Sequence, residues 1–247
     1  MADSDNEWRR WGETDPYFGV LTDPRFRRDS IAQNRSEFFA SGRLAIEERL
    51  TAAERYFGPF ERRRALDFGC GVGRLSIALA ANFDEVVGID IAPAMLAEAR
   101  ANADSMGVSN LRLALSDDCV SQAQGSFDLV MSAIVLQHIP TTRGLKIIDA
   151  LLSRVAPGGV AALQLCIGKK AGVASRLRFW LQCNIPGVHE LVNIKRGRPP
   201  AEPFMQMNAY PLDTVIALAD AAGFGLVKID AFTVGRFCSA ELLMCRR

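Results

Sequence analysis

The stretch Ala65 to Arg74 constrains this chain most. It reads ALDFGCGVGR, an apolar run that passes directly into three glycines at alternate positions and then into a helical pattern. Glycine reaches backbone angles closed to other residues and lets a ligand lie directly on the main chain. A strand, a glycine turn and a helix in succession form the first half of a βαβ unit. In open α/β sheets the ligand crevice lies at the C-terminal ends of the strands.

The rest of the chain repeats that rhythm. Ala65–Phe68, Glu85–Asp90, Leu111–Leu115, Phe127–Ser132 and Val160–Cys166 read as strands. Arg74–Phe83, Pro93–Met106 and Thr141–Val155 read as the helices between them. Pro93 fits a first helical turn, where its missing N–H costs nothing. Leu145, Ile148, Leu152 and Val155 form one apolar stripe. The strands are apolar almost throughout, as in a parallel sheet covered on both faces. Such alternation predicts a doubly wound sheet with right-handed crossovers.

Three segments depart from the rhythm. The first ~33 residues are polar with scattered aromatics (Trp8, Trp11, Tyr17, Phe18, Phe26), broken by Pro16 and Pro24. A helix then runs over Ser36–Phe57 and stops at Gly58-Pro59. Residues 167–210 delay the next helix, Asp213–Ala222, and read as an inserted lid. The end of the chain reads as Leu226–Phe232, a turn at Thr233–Gly235, and Phe237–Cys245. So short a connection makes the last strand pair antiparallel.

Two cofactor readings compete at the glycine turn. A dinucleotide fingerprint is GxGxxG, with a pyrophosphate on the helix N-terminus. Here the glycines are Gly69, Gly71 and Gly73, spaced GxGxG, and Asp67 stands two residues before the first. An acid there faces a phosphate badly and suits a positively charged ligand. Nineteen residues after Gly71 the second strand ends in Asp90, placed to accept from a ribose diol.

At these residues the sequence resembles the class I SAM-dependent methyltransferases. ALDFGCGVGRLSIALA resembles the family's first motif and VVGIDIAPAMLAEAR its second. NLRLALSDD, SFDLVMSAIVLQHIP and APGGVAALQL resemble the third, fourth and fifth strands with their flanks. The resemblance covers roughly residues 64–166 and the final strand pair. It implies a Rossmann-like seven-stranded sheet, mostly parallel with an antiparallel last strand. It also implies S-adenosyl-L-methionine as methyl donor and S-adenosyl-L-homocysteine as product. The cofactor contacts it implies are Asp67, Gly69, Cys70, Gly71, Gly73, Asp90, Ile91, Asp117, Asp118 and Ser132. Asp90 is the ribose acid; Asp117 accepts from the adenine amino group, with Asp118 as the alternative.

Methyl transfer from a sulfonium needs alignment of the acceptor, and a base only where the acceptor must lose a proton. His138, in the loop after the fourth strand, is the candidate base; the bland alternative is a loop-capping histidine. His189 reads as a lid or surface residue. Between positions 169 and 198, Lys169, Lys170, Arg176, Arg178, Lys195, Arg196 and Arg198 stand against Glu190 alone. This cluster either attracts an anionic substrate or forms a solvated face balanced elsewhere. Arg62-Arg63-Arg64 reads as a solvated run. The N-terminal aromatics read as an arm closing over the methionine end of the cofactor.

Composition bounds the partners. With 29 basic against 28 acidic side chains the formal net charge is +1, which argues against a nucleic-acid binder working by bulk charge. Asp15-Pro16-Tyr17-Phe18 lacks the second proline of an amino-directed DNA methyltransferase motif and follows no strand. The opening MADSDNEWRRW has no apolar signal-peptide core, and the apolar run Val160–Ile167 is too short to span a bilayer. None of the six cysteines has CxxC spacing, so reduced thiols in the cytoplasm are expected. The expectation is one domain over 1–247 that methylates a small molecule, on oxygen. A glycan or protein acceptor, or a SAM-binding scaffold without turnover, is the alternative. Oligomeric state is not legible.

Overall fold

The computed structural model describes residues 3–170, 177, 179–182, 185 and 187–247. Its strands are β1 (Arg64–Phe68), β2 (Glu85–Asp90), β3 (Leu111–Leu115), β4 (Phe127–Ser132), β5 (Val155–Lys169), β6 (Phe224–Val234) and β7 (Phe237–Arg246). They form one seven-stranded sheet among the described residues, in the order β3-β2-β1-β4-β5-β7-β6. β7 runs antiparallel to both of its neighbours, β5 and β6, and the other pairings are parallel. The predicted doubly wound sheet is therefore present, and β1 and β4 meet where its strand order reverses.

Alternation along β1 divides the core in two. Leu66 and Phe68 face a cluster that includes Val130, Leu163, Ile148 and Val215. Ala65 faces one that includes Ile46, Leu79, Ala103 and Met131. The first cluster is closed by α6 (Thr141–Ser153) and α8 (Leu212–Ala221). The second is closed by α3 (Ile31–Phe57), α4 (Arg74–Ala80) and α5 (Pro93–Ser105). β1, β2 and β4 are thus apolar on both faces because both are covered.

Most element boundaries shift by a few residues from the sequence reading, and the larger shifts have physical reasons. α6 ends at Ser153, and β5 starts at Val155 instead of Val160. The register against β4 jumps from Phe127↔Val155 to Leu129↔Val160, so Pro157-Gly158-Gly159 is a bulge within the strand. A Cβ on Gly159 would lie 3.0 Å from the Asp128 carbonyl, which explains a glycine so close to β4. α3 begins at Ile31, five residues before Ser36. The aromatic N-terminus folds as α1 (Ser4–Thr14) and α2 (Pro16–Val20), with Pro16 in the first turn of α2. Trp11, Tyr17, Phe26, Phe38 and Phe39 make a third apolar cluster together with Val72 and Met95.

Arg62, Arg63 and Arg64 are not merely solvated. Arg62 pairs with Glu54 (2.6 Å), Arg63 with Asp128 (3.1 Å) and Arg64 with Glu85 (2.8 Å). The backbone N–H groups of Arg63 and Arg64 also donate to Asp128, which ties the start of β1 to β4.

The lid expected over 167–210 is described in part. Its first three residues extend β5, and α7 (Val188–Lys195) follows. Residues 201–210 lie against the N-terminal arm and the loop after β4. Arg10 donates to the Ala201 carbonyl (2.7 Å), and the Phe204 N–H donates to Glu7 (2.5 Å). The Tyr210 hydroxyl reaches the carbonyls of Leu136 (2.7 Å) and Ile139 (3.0 Å). Of the cationic cluster, Arg176 and Arg178 lie outside the described residues.

Candidate cofactor site

The glycine turn leaves the C-terminal end of β1 in the middle of the sheet. Gly69 (φ +76°), Gly71 (φ +52°) and Gly73 (φ +86°) all take left-handed backbone, which a side chain would strain. The N–H groups of Gly69 and Cys70 donate to the Ile89 carbonyl (2.8 and 3.0 Å), which anchors the turn to β2. A Cβ on Gly69 would lie 2.4 Å from Val135, and one on Gly71 2.6 Å from Val20. The turn is therefore held between the loop after β4 and the N-terminal arm.

Asp90 closes the turn from the neighbouring strand. Its Oδ2 accepts the Gly71 N–H (2.8 Å) and its Oδ1 the Ala92 N–H (2.9 Å). Burial raises its pKa above the ordinary carboxylate value, and these backbone donors oppose the rise. A carboxylate offers about four lone-pair sites. The sites that the backbone donors leave unused can accept from a diol.

A cavity partly open to solvent lies over the turn. Of the residues expected to bind cofactor, Asp67, Gly69, Cys70, Gly71, Asp90, Ile91, Asp117 and Asp118 border it. Gly73 does not. It is the left-handed N-cap of α4, where a Cβ would press on Ala99 and Ile77. Ser132 does not either; it is fully buried, and its hydroxyl donates to the Phe68 carbonyl (3.1 Å) as a tie between β4 and β1.

The acids differ in state. Asp67 is 2% exposed and accepts from the Ser76 hydroxyl at 2.6 Å. Burial pushes its pKa up to about 6, against the pull of Ser76 and Arg74. The Asp117 carboxylate turns back onto its own loop. It accepts from the N–H groups of Cys119 (3.0 Å) and Ser121 (2.9 Å) and from the Ser121 hydroxyl. These bonds lower its pKa. Asp118 is paired with Arg143 at 2.7 Å. Both carboxylates thus already accept from protein donors at the cavity's edge.

His138 sits beside the cavity without bordering it. It is 6% exposed; its Nδ1–H donates to the Gln206 carbonyl (2.6 Å), and its ring lies 4.9 Å from Trp8. Burial lowers its pKa to about 4. His189 likewise donates from Nε2 to a carbonyl, that of Glu202 (2.8 Å).

Several lining residues escape a reading by motif. Ser4, Asp5 and Trp8 of α1, and Gly19 and Val20 of α2, cover the cavity from the arm, close to the arm expected from the aromatics. Arg74, the first residue of α4, borders it although only 6% exposed. Its Nη1 meets Ser41 (3.3 Å), and its Nε has no partner among the described residues. Burial lowers its pKa to about 10. Arg143 of α6 borders the mouth. The available signal for both was an arginine at or near the start of a helix flanking a ligand loop. Among the described residues no three His, Cys, Asp or Glu side chains are placed to hold a metal ion.

Residues 65–159 match the family described as "Methyltransferase domain". Trans-aconitate 2-methyltransferase of Methylobacterium radiotolerans is 38% identical over 105 residues, 42% of this chain and 38% of that one. A ubiquinone biosynthesis O-methyltransferase of Xanthomonas campestris is 38% identical over 101 residues, 40% of this chain and 41% of that one. The matched segment thus spans about four tenths of these relatives' length. In structure, the chain is similar to magnesium protoporphyrin IX methyltransferase from Synechocystis with bound SAH. The TM-score is 0.65 at 19% identity, over 99% of this chain and 100% of that one. It is also similar to an N-methyltransferase from Bradyrhizobium japonicum in complex with S-adenosyl-l-homocysteine. There the TM-score is 0.58 at 15% identity, over 98% of each chain. The sheet order, the bordered glycine turn and the match over 65–159 converge: this segment matches the methyltransferase-domain family, and the fold that carries it is that of the class I SAM-dependent methyltransferases.

Proposed function

We propose that the chain transfers the methyl group of S-adenosyl-L-methionine to an oxygen of a small-molecule acceptor. The observation that carries this reading is the cavity bordered at once by the left-handed Gly69–Gly71 turn, Asp90 and Asp67. When bound, the donor supplies a methyl group already activated on a sulfonium. The backbone of Gly69 and Gly71 leaves room for it, Asp90 offers its open lone pairs to the ribose diol, and ionised Asp67 faces its cationic end. Asp117 shapes the loop at the adenine end through its turn, with Ile91 and Cys70 as apolar walls.

The acceptor must be aligned and kept from water, which is the work of Trp8, with the 201–210 segment bracing the arm that carries it. His138 acts as a positioning residue in this reading, fixing Trp8 and the 135–139 loop through Gln206. With that histidine outside the cavity, the site favours an acceptor that arrives ionised, a carboxylate or an acidic phenol. The names of the two curated relatives, a methyltransferase of trans-aconitate and an O-methyltransferase, support oxygen as the acceptor atom.

We place the protein in the cytoplasm on its free thiols at Cys70, Cys119, Cys166, Cys238 and Cys245. Among the described residues no helix is long and apolar enough to cross a membrane.

The test is transfer of labelled methyl from SAM to a panel of carboxylic acids, phenols and alcohols. Label in an ionised acceptor supports the reading. Label only in protein or glycan fractions would redirect it to a macromolecule. SAM binding with no transfer to anything would make the chain a scaffold.

A further inference from the structure

β6 ends the sheet, and among the described residues no strand pairs with its outer side. It is 11 residues long, and Leu226, Val227, Ile229, Phe232 and Val234 on it are all at least 36% exposed. These residues alternate between the two faces, so the edge is apolar above and below. A long apolar edge with open backbone groups is a template for another strand, and proteins that stay soluble with one usually cover it.

The sequence of β6 specifies its own cover. Two copies of one strand pair antiparallel about a two-fold axis normal to the sheet, with one residue type on the axis. With Lys228 on the axis, two ammonium groups meet. With Asp230 on the axis, two carboxylates meet. With Ile229 on the axis, Lys228 of each copy faces Asp230 of the other, Leu226 faces Phe232, and Val227 faces Ala231. Ile229 is also the midpoint of Phe224–Val234, so this register gives the greatest overlap. Opposite charges directly across a pair stabilise it, and like charges destabilise it.

Lysine on an edge strand commonly blocks pairing. Here Lys228 is drawn onto Asp230 of its own strand and lies 4.8 Å from the Tyr56 ring of α3, with its side chain 16% exposed. The ammonium lies on the α3 face of the sheet beside Asp230, the face on which Asp230 of a second copy would also stand. The bulge between Phe224 and Leu226 perturbs only the start of the strand.

We infer that the chain forms a two-fold dimer by antiparallel pairing of β6 with β6 of a second copy, in the register centred on Ile229. The two sheets then continue as one.

Light scattering on the intact protein should give twice the 27.0 kDa chain mass. Lys228→Asp and Asp230→Lys should each raise the dimer dissociation constant about tenfold or more, since both cross-strand pairs become like-charged. A 1:1 mixture of the two variants should recover dimer as the heterodimer, identified by native mass spectrometry, because all four facing charges are again opposite. The double swap Lys228→Asp with Asp230→Lys should also dimerise. Circular dichroism checks that each variant is folded. If either is not, Ile229→Cys gives an independent reading: cysteines facing across the axis should link the dimer under mild oxidation, and the wild type should not. A wild type that stays monomeric at its highest soluble concentration overturns the inference. So does a dimer indifferent to both charge reversals, or an Ile229→Cys variant that remains unlinked.

Discussion

Asp5 and Arg143, 138 positions apart, are joined by two parallel hydrogen bonds, Nη1 to Oδ1 at 2.6 Å and Nη2 to Oδ2 at 3.0 Å. The same guanidinium reaches Asp118 through Nε at 2.8 Å. One arginine of α6 thus ties the first helix to the loop after β3 across the mouth of the cavity. Its two carboxylate partners, Asp118 first, raise its pKa further.

This bridge should act as a latch on the arm. Asp5→Ala should cost less than about 1 kcal/mol of global stability, because the side chains remain 30% and 23% exposed. It should still speed amide exchange across residues 4–14 by several-fold, leaving exchange in β1 and β4 unchanged. Hydrogen-exchange mass spectrometry reads both.

Asp67 sets a pH dependence on cofactor binding. With its pKa raised to about 6, the carboxylate is protonated below that value and cannot meet a cation. Affinity for SAM should therefore rise through about pH 6 and level off above it. Asp67→Asn should flatten the profile and weaken binding by about 10–100-fold at pH 8, the loss of a charge-assisted bond worth roughly 1.5–3 kcal/mol. Fluorescence titration over pH 5 to 8 checks it.

His138 makes a contribution of opposite character. Its pKa falls to about 4 in the folded chain against an ordinary 6.5, so the unfolded chain takes the proton first on acidification. The stability present above pH 6.5 should fall as pH drops towards 4, by at most about 3 kcal/mol. His138→Gln should remove that slope at a cost of about 1–3 kcal/mol at pH 7. Urea unfolding at several pH values measures the slope. No limb near pH 6.5 is expected from this residue in the rate of methyl transfer.

Gly144 and Tyr210 fix the end of the insertion. A Cβ on Gly144 would lie 1.8 Å from the Tyr210 hydroxyl, which is held by Leu136 and Ile139. Gly144→Ala should displace the ring and lower stability by about 1–3 kcal/mol, visible as a drop in Tm. Tyr210→Phe should cost less, about 0.5–1.5 kcal/mol, since it removes the bond without the clash.

Much of this was legible in the sequence, because the sheet's chemistry is local. Apolar runs, the Gly69–Gly73 turn and Asp90 at the end of β2 declare themselves through short-range spacing. The role of Ser132 was not legible: its hydroxyl serves a carbonyl 64 positions away. The Asx-type bonds that Asp117 accepts from Cys119 and Ser121 were not legible either, because they depend on how its loop turns. Arg143 and Trp8 reach the cavity through contacts between the arm, α6 and the insertion, and no periodicity records those. His138 was found by residue type and loop position, whereas its tautomer and burial depend on Gln206, 68 positions on.

On the proposed function, the cavity over the glycine turn holds S-adenosylmethionine. Calorimetric titration with S-adenosylhomocysteine tests it most directly, on the wild type, Asp90→Ala and Gly71→Val. The wild type should bind one equivalent. Asp90→Ala should weaken binding by about tenfold or more, through loss of a charge-assisted bond worth roughly 1.5–3 kcal/mol. Gly71→Val should abolish binding, with the fold retained by circular dichroism. Unchanged affinity in both folded variants, or no binding by the wild type, would mean that the cofactor does not sit over this turn.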